Sequence, residues 1–251
     1  MLRDIIKNMK KTNKERKSLD ELTRACIEKY DNVTDSRMCI IDAEFRQGFE
    51  LMKDYPKTVT IFGSARLKPE TKIYQRVESL AKKIANLDYT IVTGGGHGIM
   101  GAANKGAFES KKGNSLGINI SLPFEQTTNP YLDDTIEFHH FYSRKVVLSY
   151  AAEAYVYCPG GFGTMDEMFE ILTLKQTGKI PDTPIILYGS DFWQPLENYF
   201  KEIMLKDGEA TISPEDLSLY IITDNDEEVI EIIKNAKIRT DIFNSHHLGK
   251  K

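Results

Sequence analysis

The sequence has no apolar run approaching the roughly 18 residues of a membrane span. No apolar stretch follows Met1-Leu2-Arg3-Asp4, so neither a membrane helix nor a secretory signal is expected. Only three cysteines are present, Cys26, Cys39 and Cys158, widely spaced and without a CxxC pair. That pattern argues against a disulfide framework and against a structural zinc site, and makes a reducing cytoplasm the expected compartment. There is no internal repeat and no low-complexity linker. Positive net charge is also lacking: the balance is −4, which argues against a general nucleic-acid binder. The charge is uneven, however. Residues 1–17 carry seven basic side chains (Arg3, Lys7, Lys10, Lys11, Lys14, Arg16, Lys17) against two acids. Such a block reads either as a tail for an acidic surface or RNA, or as a solvated helix.

What the chain does have is a core. Apolar residues make up 41% of 251 positions, enough for one large α/β domain or two small ones. Residues 1–53 read as an N-terminal helical extension, in which Ile41, Phe45, Phe49 and Met52 form an apolar stripe at helical spacing. That stripe suits packing on the main domain or on a second subunit. From Thr58 the chain alternates. Strands are expected at Val59–Phe62, Tyr89–Thr93, Leu116–Ile120, Ile136–Phe141, Ala154–Cys158, Pro184–Tyr188 and Leu219–Ile222. Helices are expected at Glu70–Leu87, Gly98–Ser110, Arg144–Glu153, Met165–Gly178, Phe192–Lys206 and Asp226–Lys237. Strands separated by helices predict a doubly wound, Rossmann-like parallel sheet covered on both faces, over residues 54–240, with a C-terminal tail at 241–251. Such sheets bind ligands at the carboxyl ends of their strands.

Three glycine-rich loops fall at those ends. The most informative is Pro159-Gly160-Gly161-Phe162-Gly163-Thr164-Met165-Asp166-Glu167, between a buried strand and a helix. Its bared amides and the helix start form an anion site, with carboxylates beside it. Thr164 and Glu167 also match a capping box, in which the carboxylate would only reach back to a backbone N–H. The second loop, Gly94-Gly95-Gly96-His97-Gly98-Ile99-Met100-Gly101, contains a formal GxGxxG. It follows the second strand, and the next strand carries no acid at its end, so the dinucleotide reading fails while the phosphate reading stands. His97 is either a functional group or a turn residue. The first loop, Gly63-Ser64-Ala65-Arg66, can bring Ser64 and Arg66 to a phosphate or a base, or serve as a plain turn.

Between the second and third loops lies Phe138-His139-His140-Phe141-Tyr142-Ser143-Arg144-Lys145. Ser143 can cap a following helix. Arg144 then sits in a first turn, against the helix dipole, and either calls for a nearby anion, a substrate phosphate or Glu167, or is a surface arginine paired with any acid. Lys145 reads as solvated. His139 and His140 alternate along a strand, so that one faces the core or the site, and they lack the further ligands of a zinc site.

These motifs together resemble the Lonely-guy (LOG) family. The resemblance rests on Gly94–Gly101, on Pro159–Glu167 and on Arg144-Lys145 between them, and it spans roughly Val59 to Ile222. It implies a Rossmann-like enzyme that hydrolyses the N-glycosidic bond of nucleoside 5′-monophosphates to a free base and ribose 5-phosphate. It also implies a dimer or larger homo-oligomer, with no metal or redox cofactor. By the same resemblance Arg144 and Glu167 are catalytic. By it too, Gly160, Gly161, Gly163 and Thr164 bind phosphate with help from Gly95 and Gly96. Beyond the resemblance, Gly63, Ser64, Gly98, Met100 and Lys145 are expected in the substrate site. The single residue between the Gly94–Gly96 run and Gly98, and the N-terminal extension, look like the longer bacterial branch. Some members are labelled lysine decarboxylases, yet no lysine here stands in an evident pyridoxal phosphate context.

Overall fold

In a computed structural model, residues 16–110, 112–122, 127–150 and 152–238 are described. The basic residues Arg3, Lys7, Lys10, Lys11 and Lys14, and the 241–251 tail, lie outside them. Seven strands form one sheet: β1 Thr58–Phe62, β2 Thr90–Thr93, β3 Ser115–Ile120, β4 Asp134–Phe138, β5 Ala154–Tyr157, β6 Ile185–Tyr188 and β7 Ile221–Thr223. All pairs are parallel, in the order β4-β3-β2-β1-β5-β6-β7. The helices are α1 Leu19–Lys29, α2 Val33–Lys53, α3 Lys72–Ala85, α4 Ile99–Phe108, α5 Phe141–Tyr150, α6 Phe162–Gln176, α7 Ser190–Tyr199 and α8 Asp226–Asn235.

Strand residues alternate between two cores, as the period of two requires. In β5, Tyr155 and Tyr157 join one core and Ala154 and Val156 the other; in β6, Ile185 and Leu187 oppose Ile186 and Tyr188. One core lies under α2, α5, α6 and α7, through Leu51, Val147, Met168 and Trp193. The other lies under α3, α4 and α8, through Val77, Leu80, Ile99, Ala103 and Val229. The sheet is therefore doubly wound. Its winding reverses between β1 and β5, and the crevice at their carboxyl ends is the topological switch point.

Three helices begin earlier than the sequence suggests, α7 by only two residues, at Ser190 rather than Phe192. α6 starts at Phe162 rather than Met165, with Gly161 as its N-cap. Gly163 is tolerated because the first helical amides have no intrahelical partner to lose. α5 starts at Phe141 rather than Arg144, so Ser143 lies inside the helix and does not cap it. The helix expected at Phe192–Lys206 divides into α7 and a π turn at Phe200–Met204.

The expectation of unpaired cysteines fails. α1 and α2 run side by side and bring Cys26 and Cys39 into a disulfide, with Cα atoms 5.6 Å apart across a sequence separation of 13. Spacing along the chain does not reveal this register, and the cysteines lend no support to a reducing compartment. Cys158 is free and buried. The predicted stripe on α2 is also displaced. Its most buried line runs through Glu44, Gly48, Leu51 and Met52, while Ile41, Phe45 and Phe49 flank it half-buried. No helix among the described residues is long and apolar enough to cross a membrane.

Candidate active site

The three glycine loops meet above β1, β2 and β5 and are stitched together by backbone hydrogen bonds. Ser64 N donates to Pro159 O at 3.0 Å, and Ile99 N donates to Ser64 O at 2.9 Å. Ser64 Oγ accepts from Arg66 N at 3.1 Å, closing its own turn. Gly98 takes φ +63°, and a Cβ there would lie 2.2 Å from Ser64 O. Only glycine permits that approach at that angle. Asn129, which carries no motif signal, braces the second loop: its buried amide donates to Gly95 O at 3.1 Å and Gly96 O at 2.9 Å. Asn129 Nδ2 also donates to Asn104 Oδ1 at 2.9 Å.

At the third loop, α6 opens on Gly161 with no side-chain cap. The Thr164–Glu167 capping box does not form, because the helix has already begun three residues before its expected start. Instead Thr164 is buried and its hydroxyl packs back beneath Gly160, where a Cβ would be 2.1 Å away. A Cβ on Gly161 or Gly163 would meet nothing within 4 Å. The start of α6 is therefore open beside both glycines, and it carries the positive end of a helix dipole.

Arg144 and Glu167 converge beside this opening. Arg144 lies in the first turn of α5, and its Nε donates to Ile118 O at 2.9 Å. Its guanidinium lies over Gly94, where a Cβ would be 2.5 Å from Nη2, and Met100 Sδ covers the same glycine. Arg144 Nη1 stands 4.0 Å from Glu167 Oε1, with side-chain exposures of 13% and 7%. At that distance the two attract without a charge-assisted hydrogen bond. Glu167 Oε2 is buried with no hydrogen-bond partner among the described residues. Burial pushes the Glu167 carboxyl up to about 7, against the opposing pull of Arg144 and Lys145. Burial likewise lowers Arg144, with Glu167 opposing it. Desolvation thus outweighs the pair's attraction on both sides, and a buried carboxyl free at one oxygen is left to titrate near neutrality.

The other predicted positions are placed as follows. Lys145 is not solvated: its ammonium pairs with Asp166 at 2.8 Å and Glu170 at 3.0 Å, tying α5 to α6. His97 is exposed, and its Nε2 lies 3.2 Å from Thr127 Oγ1. Neither His139 nor His140 reaches the site. His139 Nε2 contacts Thr23 Oγ1 at 3.0 Å, and His140 Nδ1 contacts Glu44 Oε2 at 3.1 Å, because the N-terminal helices lie over the end of β4. No group of three or more metal-ligating side chains occurs among the described residues. Sequence reasoning missed Asn129 and Glu44. Both act through contacts distant along the chain, and an isolated polar residue outside any motif gives no local sign of them.

A family model described as "Possible lysine decarboxylase" matches residues 100–233, more than half of the chain. A cytokinin riboside 5′-monophosphate phosphoribohydrolase from Rhodococcoides fascians is 28% identical over 186 residues, covering 72% of this chain and 90% of the relative. Cytokinin riboside 5′-monophosphate phosphoribohydrolase LOG5 from Arabidopsis thaliana is 26% identical over 191 residues, covering 75% of this chain and 82% of its own. Among solved structures, the molybdenum cofactor binding protein of Rippkaea orientalis superposes with TM-score 0.53 at 21% identity, covering 70% of this chain and 93% of that one. The molybdenum cofactor carrier protein of Chlamydomonas reinhardtii gives 0.53 at 22%, covering 71% and 96%. At those identities the superpositions speak for the fold alone. With the family model spanning α4 through most of α8 and the curated relatives spanning most of their own length, this chain belongs to the Lonely-guy family.

Proposed function

We propose that the protein is a nucleoside 5′-monophosphate phosphoribohydrolase acting on AMP-type or cytokinin riboside monophosphates. The observation that carries this reading is the buried Glu167 carboxyl. It has one unpartnered oxygen, stands 4.0 Å from Arg144, and borders three glycine loops at the switch point. The 5′-phosphate docks on the amides of Gly160, Gly161, Gly163 and Thr164 and on the Thr164 hydroxyl, with Gly95, Gly96 and Gly98 closing the other side. Ribose then lies toward Glu167. As the bond from C1′ to the base nitrogen breaks, the base leaves with the electron pair and positive charge builds on the sugar. Ionised Glu167 stabilises that charge and takes a proton from the water that adds to C1′, while the base nitrogen gains a proton. Arg144 holds the nucleotide and keeps Glu167 available as the anion. Lys145 serves indirectly, by fixing α5 against α6.

The description of the family model as a lysine decarboxylase gains no support from these residues. A pyridoxal phosphate enzyme needs a lysine free to form the Schiff base, and Lys145, the lysine nearest the pair, is spent on Asp166 and Glu170. A second reading is a nucleotide-binding module without turnover, since the fold is shared with proteins named as a cofactor binding protein and a cofactor carrier. The arginine–glutamate pair favours turnover, because a buried carboxyl lifted to about 7 beside the sugar suits proton transfer near neutral pH. Self-association belongs to the same reading. α5 leaves Val146 and Tyr150 exposed and α6 leaves Phe162 and Phe169 exposed, an apolar face that suits a second copy. The test is incubation of the pure protein with a panel of nucleoside monophosphates, bare and N6-substituted, with released bases identified by mass. Release of base and ribose 5-phosphate supports the hydrolase. Tight binding without product supports the second reading, and product only on addition of an acceptor would mark a transferase.

A further inference from the structure

Glu44 is a carboxylate with only 2% of its surface exposed, on a helix that precedes the first strand. A buried charge needs partners, and Glu44 has three, all at the start of α5. His139 N donates at 2.5 Å, His140 Nδ1 lies at 3.1 Å, and the Ser143 hydroxyl donates to the same carboxylate. The helix winds from the same residues: Arg144 N donates to His140 O at 3.2 Å, and the Ser143 hydroxyl also reaches His140 O at 2.9 Å. An anion there also meets the positive end of the helix dipole. One turn further along α2, Gly48 lets the two helices touch. A Cβ on it would lie 2.6 Å from Val147 Cγ2 and 3.0 Å from Phe138 Cζ. Glu44 and Gly48 on α2 thus match Ser143 and Val147 on α5, four residues apart on each helix. Arg144 is the residue next to Ser143. Its guanidinium crosses Gly94, with Nε on Ile118 O, and stands 4.0 Å from Glu167.

We propose that Glu44 is a positioning residue for the reaction: it fixes the first turn of α5 and thereby holds Arg144 against Glu167. The proposal rests on the hydrolase reading for its consequence in turnover, and on geometry alone for its effect on Arg144. An N-terminal helix would then be part of the catalytic apparatus, acting through α5 and not through contact with substrate.

The test uses the full chain carrying Glu44→Gln, with Glu137→Gln as control, an exposed acid on the strand that feeds the same helix. Two quantities are measured well below the melting temperature of each variant. One is kcat and KM for base release from AMP. The other is the exchange protection of the Arg144 Nε–H, identified by its absence in Arg144→Ala. Misplacing a reacting group by about 1 Å costs on the order of 100-fold, so Glu44→Gln should lower kcat by about 10- to 100-fold with KM changed less than about threefold. The Arg144 Nε–H should lose at least about tenfold in protection, and Glu137→Gln should leave both quantities at wild type. A wild-type kcat, a change confined to KM, or unchanged Arg144 protection overturns the proposal. If Glu44→Gln does not fold, Glu44→Asp, which keeps the charge but withdraws it by one methylene, is judged by the same outcomes. If Glu167→Gln kept turnover, the hydrolase reading itself would fail. If Glu167→Gln is inactive and Glu44→Gln is not, only the positioning role fails. In a chain without any turnover, Arg144 protection decides alone.

Discussion

Replacing Glu167 by glutamine should make the protein more stable while stopping its chemistry, and the size of the effect follows from burial. The carboxyl is lifted from its ordinary 4.5 to about 7, chiefly by desolvation. A group whose folded value lies above its unfolded one binds more protons in the native state, so stability falls as pH rises through that window. The full shift corresponds to roughly 3 kcal/mol, of which about 2–3 kcal/mol accrues between pH 5 and pH 8. Glutamine mimics the protonated acid at every pH. At pH 5, wild type and Glu167→Gln should therefore differ only by a constant. At pH 8 the variant should gain about 2–3 kcal/mol on that constant, equivalent to about 5–10 °C in melting temperature for a chain of this size. All other titrating groups cancel in the comparison, as does the Arg144 charge, which faces a neutral partner in both proteins at low pH. Denaturant unfolding of the two proteins at both pH values measures the difference directly. A stability difference that does not change between pH 5 and pH 8 would refute the claim that Glu167 is a desolvated, poorly paired carboxyl. Turnover by the variant should drop by about 10²–10⁴-fold, as for loss of a positioned acid–base group. In wild type, kcat/KM should fall as pH drops below about 7, since the ionised form is the active one.

Arg144→Ala should cost about 10²–10⁴-fold in turnover, measured by ribose 5-phosphate release. It should also raise the apparent pKa of the acid limb, because the opposing cation is gone. Thr164→Val should raise KM more than it lowers kcat, because the hydroxyl serves phosphate binding and not bond cleavage. Steady-state kinetics with AMP would show the opposite split if Thr164 acted in the chemical step. Gly98→Ala should cost more than about 1 kcal/mol and impair nucleotide binding, since the φ of +63° and the 2.2 Å approach to Ser64 O are both closed to a side chain. Calorimetry with AMP checks it, and wild-type affinity would contradict the tight stitching of the loops.

Much of this was legible in the chain because its signals are local. The strands of an all-parallel sheet read as short apolar runs, and each of the seven lies within a few residues of its expected place. Glycines after strands marked the loops, and the PGGFGTMDE run marked the helix start that faces the crevice. What escaped depends on contacts far apart in sequence. The start of α5 lies at Phe141, and the residues around it are held by a carboxylate from α2, which no window around Ser143 contains. His139 and His140 turned to the N-terminal helices for the same reason, and Lys145 found its acids on α6. Cys26 and Cys39 pair through the register of a helical hairpin, and Asn129 braces the second loop from a segment with no periodic pattern at all.

The decisive measurement is a crystal structure of Glu167→Gln soaked with AMP. The 5′-phosphate should rest on the amides of Gly160 to Thr164, with C1′ of the ribose beside the side-chain amide introduced at position 167 and Arg144 within reach of the nucleotide. A nucleotide bound elsewhere, or a phosphate in that cradle with its sugar turned away from position 167, would contradict the assignment of the reaction to this crevice.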